Sequence, residues 1–358
     1  MTAARPAHAG SAPAPQTHAG PAHDRLGRPL EVLRVSLTDR CNFRCPYCMP
    51  AADFGPGHPF LPARALLSFD QLTRVVAAAV ALGVRTVRLT GGEPLLRPGL
   101  SELVARLRAL PGLGELALTT NGSLLAAQAG ALRAAGLDRL TVSLDSLDPA
   151  RFARLSGVGA ELEAVLAGLT AARTAGFRAL KVNCVVRQAN LADVAALANH
   201  FRGTGITVRF IEYMDVGGAA GWSAAEVVPA ATILDQLREI GPLDPQPDSP
   251  GQVAQRYRWR DGQGEVGLIA SVSAPFCRGC TRLRLSADGK LYTCLFATEG
   301  LDLRPQLAPD AVPEGLAQAL AAAWRERSDR YSELRAGGEA LVSLTAHLPK
   351  VLMSVVGG

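Results

Sequence analysis

No run of eighteen uninterrupted apolar residues occurs in this chain of 358 residues, which argues against a membrane-spanning helix. Residues 1–23 are rich in Ala, Pro, Gly and His. They lack the charged-then-apolar order of a signal peptide, and they read as a disordered tail. There is no long basic run either. The net charge of +5 and the pI of about 9.0 come from scattered cations, which point weakly to an anionic substrate and away from nucleic acid. Disulfides are also disfavoured. Seven cysteines is an odd number, and six of them fall in two triads, a pattern that suits metal in a reducing cytoplasm. Neither triad has a fourth cysteine nearby, and that absence carries the most information.

The first triad is Cys41-Asn-Phe-Arg-Cys45-Pro-Tyr-Cys48, spaced C-x3-C-x2-C. Zinc sites and electron-transfer 4Fe–4S clusters normally take four protein ligands. Three thiolates on a four-iron cluster leave one iron open to a small chelating molecule. A zinc knuckle is the alternative, with His58 as the nearest fourth ligand. The segment before the triad, Val32-Leu-Arg-Val-Ser-Leu-Thr38, is β-branched and apolar and reads as a strand. The run resembles the signature of the radical S-adenosylmethionine (SAM) enzymes. That resemblance implies that the open iron holds the amino and carboxylate groups of SAM, that the reduced cluster cleaves SAM to a 5′-deoxyadenosyl radical, and that Tyr47 stands beside the adenine.

At 48% hydrophobic and 19% charged, the chain can bury a large core. Its length suits two domains of about 150 residues, or one α/β barrel of about 250 residues with an appendage. Strand patterns at 32–38, 84–90, 115–119, 138–144, 179–186 and 206–213 alternate with helical patterns at 69–82, 99–109, 123–135, 160–175 and 190–202. Such alternation means βαβ units and a parallel sheet. Six units are visible where a full barrel has eight. Beyond residue 220 the alternation fails: 225–240 reads as a helix, 241–256 as a loop, 256–294 as strands around the second triad, and 312–325 as a helix. The seventh cysteine, Cys184, lies in an apolar strand and reads as a core residue.

Chemistry in such barrels gathers at the C-terminal ends of the strands. Strand two ends in Arg88-Leu-Thr-Gly-Gly-Glu-Pro94, whose glycines let a backbone approach a ligand closely; an ordinary glycine turn is the plainer reading. Strands three and four offer hydroxyls in Leu118-Thr-Thr-Asn-Gly122 and Thr141-Val-Ser-Leu-Asp-Ser146. Arg34, Arg88, Lys181 and Arg209 come from four different strands. Each must snorkel, pair or bind something, with Glu93 or Glu212 as candidate ion-pair partners. Together they suit a polyanion such as a triphosphate.

The second triad is Cys277-Arg-Gly-Cys280 with Cys294, followed within the triad by Arg282-Leu283-Arg284 on a strand pattern. There the two arginines point one way and Leu283 the other. With two triads, this Arg-Leu-Arg stretch and a terminal Gly357-Gly358, the chain resembles the GTP 3′,8-cyclase family over about residues 24–358.

The resemblance implies an incomplete (β/α)6 TIM-type barrel with a C-terminal Fe–S cluster domain, divided as tail 1–23, barrel 24–235 and cluster domain 236–358. It implies a lyase of molybdenum cofactor biosynthesis carrying two 4Fe–4S clusters, on Cys41, Cys45 and Cys48 and on Cys277, Cys280 and Cys294. Tyr47, Gly92, Ser143 and Met214 would contact SAM. Arg34, Arg88, Thr119, Lys181, Arg209, Arg282, Leu283 and Arg284 would contact GTP, and Gly357 and Gly358 would serve catalysis. It further implies a downstream pterin synthase, an electron donor of flavodoxin or ferredoxin type, a homodimer, and no nucleic-acid or membrane partner. One departure stands out. Many members have a basic residue where this chain has Thr86, and Arg85 would face the other way.

Overall fold

Apolar side chains recur in this chain at two periods, and each period builds one layer. The computed structural model describes residues 22–157, 159–216, 222–249, 251–336 and 351–357. Its first six strands are β1 (Val32–Ser36), β2 (Thr86–Thr90), β3 (Glu115–Thr120), β4 (Arg139–Ser143), β5 (Ala179–Val186) and β6 (Thr207–Glu212). Between them run helices α1 (Phe69–Ala81), α2 (Leu100–Arg108), α3 (Leu125–Ala134), α4 (Pro149–Ser156), α5 (Leu162–Thr174) and α6 (Asp193–Phe201). Consecutive strands pair in parallel throughout.

Strand alternation sorts the side chains. In β5, Leu180, Val182, Cys184 and Val186 are buried on the helix-facing side, while Lys181, Asn183 and Val185 line an internal cavity. The other strands follow the same rule, with Leu33, Val87, Leu116, Leu140 and Val208 outward in the core. Burying each such side chain is worth roughly 1.5–3 kcal/mol. A slip of one residue would push arginines into that core, so the register is strongly held. Helix starts are capped locally. Ser68 and Gln71 form a reciprocal capping box at α1, and Asp148 accepts from the Arg151 N–H at 2.7 Å at α4, behind Pro149. That second cap is written in the sequence, yet the pattern reading passes over α4 altogether.

The C-terminal part does not form a separate sheet. After α7 (Ala230–Ile240) come β7 (Leu243–Pro245), β8 (Gln255–Trp259), β9 (Glu265–Ile269), β10 (Arg282–Leu285), β11 (Lys290–Tyr292) and β12 (Leu301–Asp302). The sheet order is β12-β11-β10-β1-β2-β3-β4-β5-β6-β9-β8-β7. β10 joins β1 in parallel and β9 joins β6 in parallel, so both open edges of the six-stranded barrel are paired. The expected loop over 241–256 contains β7, an edge strand that can tolerate Pro245, and the start of β8. The expected boundary at 235 falls inside α7. Of the expected N-terminal tail, Ala22 is buried and His23 bridges to Pro29; residues 1–21 lie outside the described residues. Short α8 (Arg304–Leu307), then α9 (Pro313–Arg325), α10 (Tyr331–Ala336) and α11 (Met353–Val356) complete the chain.

Leu283 corrects one expectation. It sits fully buried in the helix-facing core, because alternation turns it away from its neighbours Arg282 and Arg284. Its side chain therefore does not line the cavity. Leu283→Ala is expected to cost about 2–5 kcal/mol, measured from guanidinium unfolding; a loss below about 0.5 kcal/mol would remove Leu283 from the core.

Candidate active site

A cavity of about 650 Å³ occupies the barrel interior and reaches both cysteine triads. Topology sets their separation. Cys41 follows the C-terminal end of β1, whereas Cys280 precedes the N-terminal end of β10, which runs parallel to β1. The triads therefore stand at opposite ends of the strands. At about 3.3 Å per residue, a five-residue strand separates them by on the order of 15 Å.

The first triad sits in a loop clamped by the glycine motif. The Gly92 N–H donates to Thr38 O and the Glu93 N–H to Arg40 O, both at 2.8 Å. A Cβ on Gly92 would lie 2.2 Å from Arg40 O, and one on Gly91, whose φ is +140°, 2.5 Å from Thr38 O. The glycines are thus required first by the cysteine loop itself, and both also face the cavity. Burial and the neighbouring thiols push Cys48 up to about 12 and Cys45 well above its ordinary value. Cys41 rises to about 11, chiefly through burial. Such thiols become thiolates only against a strong local positive charge, which an iron cluster provides. All seven cysteines are free. His58 does not complete a zinc site: its Nδ1 lies 2.9 Å from Asp53 O and its ring packs on Phe54 and Phe60. Among the described residues no three His, Cys, Asp or Glu side chains converge on a single metal ion.

Tyr47 reaches across to β4, donating its hydroxyl to Asp145 Oδ2 at 2.7 Å. Asp145 Oδ1 accepts from the Val185 N–H at 2.8 Å, so this carboxylate ties the cysteine loop to β4 and β5. Burial raises Asp145 to about 6 and Glu93 to about 7. Tyr47, Gly92, Ser143 and Met214 all line the cavity.

The wall between the triads is cationic. Arg34, Arg88, Thr119, Lys181, Arg209, Arg282 and Arg284 line it. Arg88 Nη1 donates to Thr119 Oγ1 at 3.0 Å and Thr141 Oγ1 at 3.3 Å, and Arg209 Nε to Asn183 Oδ1 at 2.9 Å. Burial, then repulsion from neighbouring cations, lowers Lys181 to about 8 and Arg88 to about 9. Neither expected ion-pair partner relieves them. Glu93 accepts from the Leu95 and Asn121 N–H groups and the Thr120 hydroxyl. Glu212 accepts from the Ala230, Val272 and Ser273 N–H groups. Among the described residues, Arg34 Nε is buried without a partner, as expected of a cavity-lining group that meets a ligand. Pattern reading missed Arg139, paired with Glu115 and facing the same cavity. Its parity with Thr141 and Ser143 on β4 was the available signal. Arg85 points outward to Gly112 O at 3.0 Å.

The second triad is held from behind. Asp24, whose side chain is fully buried, accepts from Arg28 Nε at 2.6 Å and Arg327 Nη1 at 3.1 Å. Arg28 Nη1 donates to the carbonyls of Cys277 and Asp329, both at 2.8 Å. Arg327 donates to those of Cys280 and Thr293 at 2.8 and 2.9 Å. Nothing in the motif reading exposed this Arg–Asp–Arg anchor, because its members are distant in sequence. Burial raises the Cys280 thiol, but Arg282 and Arg327 outweigh it and bring it down to about 6. Burial and Asp329 push Cys294 up to about 12. Cys280 and Cys294, unequal as they are, again need a metal centre to ionise together.

Gly357 reaches two cations of the cavity wall. Gly357 O accepts from Arg34 Nη1 at 3.2 Å and from Arg284 Nη1. Gly357 has φ +71°, and a Cβ there would meet Thr90 Cγ2 at 2.3 Å, so only glycine fits. Gly358 lies outside the described residues.

Comparison with known proteins agrees with this architecture. The Radical SAM superfamily matches residues 35–201, and the Molybdenum Cofactor Synthesis C family matches residues 206–333. A GTP 3′,8-cyclase of Acidothermus cellulolyticus is 55% identical over 322 residues, covering 88% of this chain and 89% of that one. One from Xanthomonas campestris pv. campestris is 52% identical, covering 96% and 99%. Among solved structures, Streptococcus suis SuiB bound to S-adenosylmethionine superposes with a TM-score of 0.60 at 16% identity, covering 86% of this chain and 68% of that one. That likeness concerns the fold.

The clamp on the first triad gives a test. Gly92→Ala forces its Cβ against Arg40 O and should displace the cysteine loop, so that anaerobically reconstituted protein holds about four irons instead of about eight. Undiminished iron in this variant would contradict the clamp.

Proposed function

The chain belongs to the GTP 3′,8-cyclase family of radical SAM enzymes, and on that footing we propose how its own residues divide the work. It converts GTP and SAM to (8S)-3′,8-cyclo-7,8-dihydroguanosine 5′-triphosphate, 5′-deoxyadenosine and methionine, the first step of molybdenum cofactor biosynthesis. It is a lyase with two 4Fe–4S clusters.

One observation carries the assignment of residues: two three-cysteine sets at opposite ends of a single cation-lined cavity. Cys41, Cys45 and Cys48 would hold the cluster that binds SAM, and Cys277, Cys280 and Cys294 the one that meets the guanine base. When bound, the clusters supply the electron for reductive SAM cleavage and an open iron for the base. Tyr47, Gly92, Ser143 and Met214 orient SAM at the first-triad end. Arg88, Lys181 and Arg209, with Thr119, take the triphosphate, Arg34, Arg282 and Arg284 contact the rest of GTP, and together they fix the ribose so that its C3′ hydrogen faces the SAM end. Enclosure keeps water and competing hydrogen donors out while the radical exists. The remaining assignments are of the same kind: a pterin synthase downstream, a flavodoxin- or ferredoxin-type donor, a homodimer, and a cytoplasmic location that the free cysteines favour. No described helix is long and apolar enough to cross a membrane.

The division of labour is testable. Cys45→Ala should abolish reductive SAM cleavage, whereas Cys280→Ala should retain a measurable part of it and lose cyclisation. Equal loss of SAM cleavage in both, with the first cluster intact by EPR, would refute the division. Arg282→Ala or Arg284→Ala should weaken GTP binding by about 1.5–3 kcal/mol and leave SAM affinity unchanged; unaltered GTP affinity in both would return these arginines to a structural role. Deleting Gly357 and Gly358 should leave iron content and GTP affinity nearly intact and remove most single-turnover product. Wild-type turnover by the truncated enzyme would show an ordinary chain end.

A further inference from the structure

Four acidic side chains face a cavity that is otherwise rich in cations: Glu93, Asp145, Glu265 and Asp329. Three are engaged by the protein. Glu93 and Asp145 accept at both oxygens from their own surroundings, and Glu265 pairs with Arg258 at 2.7 Å. Asp329 differs. Its side chain keeps 33% of its surface, and among the described residues its one ion-pair contact is Oδ2 to Arg327 Nε at a long 3.5 Å. The Arg327 guanidinium is already spent on Asp24 and on the carbonyls of Cys280 and Thr293. Asp329 is nevertheless held firmly, because its carbonyl accepts from the buried Arg28 Nη1 at 2.8 Å.

A carboxylate repels phosphate, so it must face another part of a nucleoside triphosphate. Its place in the fold agrees. Lys181 and Arg209 stand on β5 and β6, whereas Asp329 stands at the second triad, where Arg28 Nη1 donates to both its carbonyl and that of Cys277. What remains of GTP at that end is the base. Guanine differs from hypoxanthine by one exocyclic amino group, a pure donor at neutral pH, and a carboxylate is a pure acceptor. Resting on the GTP reading above, we propose that Asp329 is a specificity-determining residue that accepts a hydrogen bond from the guanine N2 amino group. The Arg28–Asp24–Arg327 anchor positions it for that contact. Adenine offers no amino group at that carbon, so the same contact discriminates against ATP.

The test compares binding of GTP and ITP to the reconstituted holoenzyme, in the wild type and in Asp329→Ala and Asp329→Asn, each checked for about eight irons. A charge-assisted hydrogen bond predicts that the wild type prefers GTP over ITP by about tenfold or more. In Asp329→Ala this preference should collapse towards unity, through weaker GTP binding with ITP affinity unchanged. Three results would overturn the proposal: equal wild-type affinities for GTP and ITP, a wild-type preference that survives in Asp329→Ala, or equal loss of both nucleotides in that variant, which marks Asp329 as a mere support of the loop; Asp329→Asn, which keeps an acceptor oxygen but no charge, should retain part of the preference. The first needs no variant, so the proposal stays exposed even if the Ala chain fails to take up clusters. Wild-type holoenzyme that binds neither nucleotide would instead overturn the GTP reading itself.

Discussion

Positive charge crowded inside the barrel is the constraint on which the rest of the structure depends. Arg34, Arg88, Lys181, Arg209 and Arg284 converge from five strands, and burial and mutual repulsion lower the pKa of every one of them. For Arg88 this corresponds to on the order of a few kcal/mol. A protein keeps such an arrangement only if something in its working state repays it. GTP bound among them, as proposed above, would do so, and the outward apolar rows of the same strands supply the stability that tolerates it meanwhile. The chain end contributes as well, since Gly357 O accepts from two of these guanidiniums.

The two triads are chemically unlike for reasons of placement. The first is buried, with Glu93 acting on Cys41 and Asp145 on Cys45, and the nearby Arg44 offsets this only in part, so its thiols are pushed up together. The second lies beside Arg282 and Arg327, and Cys280 falls to about 6 while Cys294 rises to about 12. Positive charge beside the second triad suits a site that must also attract an anionic substrate. A zinc knuckle explains neither triad, because His58 is committed elsewhere. A generic radical SAM barrel explains only the first.

The six βα units and the parallel sheet were legible in the sequence because every strand from β1 to β6 alternates cleanly enough to show its apolar side. The same alternation separated Arg282 and Arg284 from Leu283, although the family resemblance alone had grouped all three as substrate contacts. What escaped the sequence was long-range. The pairing of β10 with β1 and of β9 with β6 joins segments more than fifty residues apart, and no local pattern encodes it. Asp24, Arg28 and Arg327 meet only because that pairing brings the chain's two ends together. The Gly91–Gly92 pair was read as room for a ligand. Its first demand turned out to be the backbone at Thr38 and Arg40, a contact visible only once the cysteine loop is folded back on β2.

The most direct measurement of the central claim follows one hydrogen atom. GTP deuterated at ribose C3′ is supplied with SAM and a reductant to the anaerobically reconstituted enzyme, and both products are analysed by mass spectrometry. The account predicts deuterium in 5′-deoxyadenosine, together with a 3′,8-cyclised nucleotide in matching amount. Deuterium-free 5′-deoxyadenosine, formed at the same rate with and without GTP and with no cyclised product, would contradict it.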